Sequence, residues 1–242
     1  MAIVTPFTKP DEPKKVLDNG AIPPLKNGDR LTRAEFERRY DAMPELKGAE
    51  LIEGEVYMPS PVRYEKHSHP HTRLVAWLAN YETDTPGVGA GDNGSIRLDL
   101  DNEPQPDVFL IIRPEHGGQA RISDDDYIEG APELVAEVAS SSVSEDLGKK
   151  LKAYQRNGVC EYLVWRVFDR RLDWLVNRDG RFEPMHPAAD GILRSIVFPG
   201  LWLDPGALVR GEKTTVKAVL QQGLNSPEHA EFVARLERAR TV

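Results

Sequence analysis

Apolar residues recur along this chain with two periods, and the alternation between them sets the expected order of elements. Phe36, Tyr40 and Met43 lie four and three apart behind Thr32-Arg33-Ala34-Glu35, which has the spacing of a capping box, so a first helix is expected over about 32–43. Glu50 to Met58 has strand composition, interrupted at Gly54 and closed by Pro59 and Pro61. Leu74, Val75, Leu78 and Tyr81 return to helical spacing, with Pro70 suited to the first turn of that helix and Pro86-Gly87 beyond its end. Gly87-Val88-Gly89-Ala90-Gly91-Asp92 lacks the lysine and hydroxyl of a phosphate loop and is expected to be a turn. Ile96, Leu98 and Leu100 alternate with Arg97, Asp99 and Asp101 as in a half-buried strand, while Asp107 to Ile112 and Glu133 to Ala139 are short, nearly unbroken apolar strands. A helix from about Ser144 to Arg156 is closed by Asn157-Gly158 as a left-handed cap; strands follow at 160–168 and 171–177, and two helices at about 214–240. This order predicts an α/β (α+β) fold, a mixed central β-sheet flanked by helices.

Length and composition narrow the picture. With 242 residues, 40% of them hydrophobic, the chain can bury one substantial core. Residues 1–30 hold five of the 19 prolines and no apolar period, so they are expected to form an arm. The single cysteine, Cys160, excludes an intrachain disulfide framework, and Met1 to Pro6 lacks a secretory pattern, which together predict a cytoplasmic protein. No apolar run approaches the roughly 18–20 residues of a membrane span. The net charge of −8 has the wrong sign for coating nucleic acid through bulk electrostatics. A phosphate backbone could then be met only by a local basic groove or through a bound divalent cation.

Glu137 is the most informative residue, because it interrupts Leu134-Val135-Ala136-Glu137-Val138-Ala139, where a charge must leave water. Burying an unpaired carboxylate costs several kcal/mol, so a cation, a metal or a set of donors has to compensate it. Asp107 stands at the mouth of the other apolar strand, where Pro104-Gln105-Pro106 fixes an extended approach. If those strands are neighbours, the two carboxylates form a pair suited to a hard divalent cation. The plain structural alternative is a strand cap at Asp107 and an arginine partner for Glu137. In the helix that follows, Leu147, Leu151 and Tyr154 define a buried stripe, which leaves Lys150 on its flank and turns Lys149 and Lys152 away. Lys150 could stabilise charge at a reacting phosphate, or simply pair with Asp146 four residues earlier.

Taken in order, Glu50-Leu51-Ile52-Glu53-Gly54-Glu55, Gln105-Pro106-Asp107-Val108, Glu133 to Val138, Asp146-Leu147-Gly148-Lys149-Lys150 through Tyr154, and Gly158 to Tyr162 resemble the Uma (Uma-two) family of restriction endonucleases, within the PD-(D/E)XK nuclease superfamily. Gly191 to Ser195 and Phe198 to Leu201 are similar to that family's closing strands. The resemblance spans about 31–205. It implies a nuclease-like domain there and a C-terminal helical extension over 206–242. It further implies Asp107 and Glu137 as ligands of Mg²⁺ (or Mn²⁺), cleavage of DNA phosphodiesters, and a homodimer as in many such nucleases. One departure stands out: the superfamily lysine two residues after the glutamate is Ala139 here, and the family's lysine from the following helix points to Lys150. Glu50 matches the family's early glutamate and is an accessory candidate.

Other constellations give competing readings. His67, His69 and His71 alternate, which would build a zinc site on a strand; Lys66 and Pro70 favour a loop entering a helix instead, with Glu65 and His71 at a substrate entrance. Arg166, Arg170 and Arg171 with Trp165, Phe168 and Trp174 could grip a phosphate backbone, or form a hairpin with one buried aromatic face. Ser140-Ser141-Ser142 lacks a nucleophile elbow and suits a capping loop. Three functions follow: a metal-dependent endonuclease, a catalytically silent module binding nucleic acid or a protein on the same fold, and a histidine-based zinc hydrolase.

Overall fold

A computed structural model describes residues 21–240 other than 141, 143 and 145; most of the expected N-terminal arm and part of the serine-rich loop lie outside the described residues. The centre is a six-stranded sheet built from β3 (Val88–Asp92), β5 (Val108–Ile112), β8 (Leu134–Ala139), β9 (Glu161–Arg166), β10 (Arg171–Arg178) and β11 (Arg181–Pro184), in the order β11-β10-β9-β8-β5-β3. Only β8 and β9 run parallel; the other neighbours are antiparallel, so the sheet is mixed as expected. The crossover between the parallel pair is α3 (Leu151–Asn157), preceded by a wide helical turn over Asp146–Lys150 and closed by Gly158 at φ 86°.

Residue alternation along β8 divides two apolar layers. Leu134, Ala136 and Val138 pack with Leu74, Trp77 and Leu78 of α2 (His69–Thr83) and with Leu220 and Phe232 of the two C-terminal helices, α5 (Lys213–Leu224) and α6 (Pro227–Ala239). Between α2 and α5 the chain contributes the short helix α4 (Pro205–Arg210), whose N-cap Asp204 accepts a bond from the Ala207 N–H. Val135 and Ala139 face the opposite way, against Tyr154 of α3, Tyr162 and Phe109. A smaller cluster joins Leu25 and Phe36 of α1 (Arg33–Asp41) to Leu51 and Val56.

Several local expectations change. Thr32 makes no side-chain cap bond, and the Glu35 carboxylate that a capping box would send back to the Thr32 N–H is held by Arg38 and Arg39 instead. The interrupted strand at Gly54 is a hairpin of β1 (Glu50–Ile52) and β2 (Glu55–Tyr57), with Glu53 and Gly54 both at positive φ in its turn. Of the alternating stretch from Ile96, only β4 (Ile96–Arg97) is strand, and Leu100 is exposed. It pairs with β7 (Ile128–Glu129), which in turn pairs with β6 (Arg121–Ile122). In the glycine-rich 87–92 stretch only Gly87 belongs to a turn; Val88–Asp92 is edge strand β3, and the Phe109 ring lies across Gly91, where an added Cβ would collide with ring carbon Cζ. A short pair, β12 (Leu193–Arg194) with β13 (Trp202–Leu203), closes the region similar to the family's last strands.

Candidate active site

β5 and β8 pair with Val108 opposite Ala136, which brings Asp107 and Glu137 across from one another at the end of the ladder. Each carboxylate is held by the other strand's backbone. The Val138 N–H donates to Asp107 Oδ2 at 2.7 Å, and the Asp107 N–H donates to Glu137 Oε2 at 3.3 Å. The approach through Pro104 and Pro106 and the all-buried strand β8 thus fix two acidic groups at one corner of the sheet, Asp107 8% and Glu137 3% exposed.

The wide turn after β8 carries Lys150 to the same corner. Its ammonium donates to Glu137 Oε1 at 3.1 Å and lies 2.9 Å from Glu50 Oε1 and 3.8 Å from Asp146 Oδ1. The pairing with Asp146 and the inward position are therefore both realised. Lys149 turns out to Glu55 and the Tyr57 hydroxyl, as its place on the helix predicts. Tyr154 of α3 donates its hydroxyl to Glu137 Oε1 at 3.1 Å, and Glu50 accepts the Gln105 N–H at 2.8 Å. Burial pushes the Glu137 carboxyl well above the usual carboxylate range in spite of Lys150. Burial also pushes Asp146 up to about 6. Burial works against the charge on Lys150, yet Glu137, Glu50 and Asp146 outweigh it and hold the ammonium protonated. Four carboxylates share this corner, and positive charge is in deficit there.

His67 completes the corner. Its Nε2 lies 3.1 Å from Asp107 Oδ1 and its Nδ1 3.3 Å from the Val138 carbonyl, two atoms that only accept, so both ring nitrogens carry hydrogen. The Asp107 bond raises the imidazole's pKa. Although burial opposes it, His67 in turn keeps Asp107 below the usual range. His71, one turn on, puts Nε2 2.8 Å from both the Asp107 carbonyl and Asp92 Oδ1, whereas His69 stacks on Tyr64 and faces Glu65. His67 and His71 both reach Asp107, one at the carboxylate and one at the carbonyl, while His69 turns away to Tyr64 and Glu65, so the three imidazoles do not converge on one centre as the zinc reading requires. Among the described residues no three His, Cys, Asp or Glu side chains form a metal-holding group.

The corner opens into a cavity of about 1040 Å³ whose walls include Glu50, Lys47, Arg63, Lys66 and Phe168. The structure brings the expected Asp107, Glu137, Lys150 and Glu50 together at this corner and adds His67, which the sequence places only in a loop entering a helix. The available signal was the four-residue spacing of His67 and His71, which puts both rings on one side of a helix. The aromatic hairpin is mostly structural: Trp165 and Trp174 are buried, and Arg166 and Arg171 are tied to Asp173.

The sequence model of the family described as "Putative restriction endonuclease" (Uma2) matches residues 33–206. No curated protein matches the chain. Among solved structures, that of a "putative nuclease" from Anabaena variabilis superposes with a TM-score of 0.53 at 16% identity, covering 71% of this chain and 97% of the other. At that identity the superposition establishes the fold, and the mixed α/β architecture is that of the nuclease structure.

Proposed function

The chain belongs to the Uma2 family, and from that premise we propose that it is a divalent-metal-dependent nuclease hydrolysing DNA phosphodiester bonds, with Asp107 and Glu137 as metal ligands and Lys150 beside them. The observation that carries this reading is the backbone-locked carboxylate pair at the end of β5 and β8, which lines the cavity. The donor set suits Mg²⁺ or Mn²⁺: all oxygen, charge-deficient, with the Val138 carbonyl next to Glu137 as a third candidate oxygen. The nuclease domain is assigned to 31–205, and 206–242 to a helical extension.

Such a cation, when bound, would polarise a phosphodiester and lower the pKa of a water. The protein's own groups do the rest. The Val138 N–H holds one oxygen of Asp107, leaving the other to a ligand once His67 moves aside. Tyr154 and Lys150 both grip Glu137 Oε1 and so aim Oε2 at the corner. Lys150 stays protonated and can place positive charge against a phosphate developing negative charge, an effect removed from water by burial. Glu50 anchors the ammonium from the far side and serves as a positioning residue.

Supercoiled plasmid incubated with the protein and Mg²⁺ or Mn²⁺ is expected to be nicked, and EDTA, Asp107→Asn or Glu137→Gln to abolish nicking. Unchanged nicking in both variants would place the chemistry elsewhere. Metal binding with no cleavage of any DNA would favour the catalytically silent module.

A further inference from the structure

At the cavity mouth, the hairpin between β9 and β10 puts Phe168 at its tip, where the ring stays 58% exposed although it lines the cavity. The segment leading into α2 lines the same cavity with Pro61, Val62, which is 65% exposed, and Arg63. The Lys66 ammonium stands 4.8 Å from the Phe168 ring centroid. Among the described residues neither Arg63 nor Lys66 has a carboxylate within salt-bridge distance, whereas Lys149 and Arg166 nearby are both tied to acids. Two cations without an acidic partner among the described residues and an exposed ring, one face of which Lys66 meets, thus line the same cavity, in a chain whose net charge is −8.

That combination fits one ligand chemistry. Arg63 and Lys66 complement phosphates, and an exposed ring flanked by cations is a stacking surface for a nucleobase. A base inside a duplex has both faces covered by its neighbours and must leave the stack to reach such a ring. We propose that Phe168, Arg63 and Lys66 form a binding site for an unpaired nucleotide, base on the ring and phosphates on the cations, so that single-stranded or locally opened DNA is the preferred substrate. The proposal rests on the nuclease reading for the kind of ligand, and on the rim geometry for its unpaired state.

Fluorescence anisotropy with a short labelled oligothymidylate and with a blunt duplex of equal length, in Ca²⁺ to compensate the carboxylates, tests it on the full chain. The single strand is expected to bind at least about tenfold more tightly than the duplex. Phe168→Ala is expected to weaken single-strand binding between about fivefold and a hundredfold, the range for one lost base–aromatic stack, and Phe168→Trp to retain it. Arg63→Ala and Lys66→Ala should each lower the salt dependence by about one counterion. Because Phe168 is exposed, these variants should keep the wild-type circular dichroism and melting temperature. Equal affinity for duplex and single strand, or a Phe168→Ala protein that binds single strands like wild type, overturns the proposal. The two readings fail separately: duplex cleavage without single-strand preference removes the nucleotide site and keeps the nuclease, and single-strand preference through Phe168 without any cleavage does the reverse.

Discussion

Replacing Lys150 by methionine removes the one ammonium that stands among Glu137, Glu50 and Asp146, at 3.1, 2.9 and 3.8 Å. Methionine keeps similar bulk, so the loss is electrostatic rather than a cavity. Taking one partner from a buried ion pair costs about 3–5 kcal/mol, because the remaining charge stays buried and uncompensated. For a chain of this size, about 2–4 °C per kcal/mol gives a drop of about 6–20 °C in the melting temperature at pH 8. The deficit should shrink on acidification. Asp146, already pushed up to about 6 from 3.8, is an acid whose folded-state pKa exceeds its unfolded value: its stabilising term is complete below 3.8 and lost as pH rises through about 6. Without Lys150 that window widens upward, so variant and wild type converge towards pH 4 and diverge towards pH 8. Differential scanning calorimetry across this range measures both effects. Glu137→Gln combined with Lys150→Met should recover part of the loss, with a coupling of about 1–3 kcal/mol. A Lys150→Met protein within about 0.5 kcal/mol of wild type at pH 8 would refute the charge-deficit argument.

Glu103 is 1% exposed, and burial, followed by a hydrogen bond shared with the Glu37 carboxyl, raises its pKa to about 8. Stability is therefore lost as pH rises from 4.5 through about 8, and Glu103→Gln should be more stable than wild type by about 1–3 kcal/mol at pH 8 yet equal at pH 4.5, read from urea midpoints. His67→Ala should strengthen Mn²⁺ binding about tenfold in calorimetric titration, since a cation no longer has to displace a charged hydrogen bond from Asp107; weaker binding would make His67 a ligand instead. Gly91→Ala, which drives a methyl group into the Phe109 ring, should cost about 1–3 kcal/mol in chemical denaturation, and a neutral result would mean that the ring repacks freely.

How much was legible in the sequence depended on whether a residue's role was local. The strands carrying Asp107 and Glu137 announce themselves by nearly unbroken apolar runs, and the charge inside one of them marks a candidate site without any knowledge of its neighbours. Lys150 was readable because helical geometry separates it from Lys149. By contrast, the Val88–Asp92 strand pairs with β5 and has the Phe109 ring lying over Gly91, contacts between segments that no local period encodes. His67 was missed for the same reason: its partners, Asp107 and the Val138 carbonyl, are 40 and 71 residues away. The reciprocal half of the capping box is lost because Arg38 and Arg39 take the Glu35 carboxylate, a competition between helix neighbours that the Thr-x-x-Glu spacing does not encode.

Anomalous scattering from crystals grown with Mn²⁺ tests most directly whether the Asp107–Glu137 corner is a metal centre. One peak is predicted in contact with Asp107 and Glu137 carboxylate oxygens and the Val138 carbonyl, with the His67 ring turned aside. A corner without a peak at saturating Mn²⁺, with His67 still on Asp107 and Lys150 still on Glu137, would contradict a metal centre there.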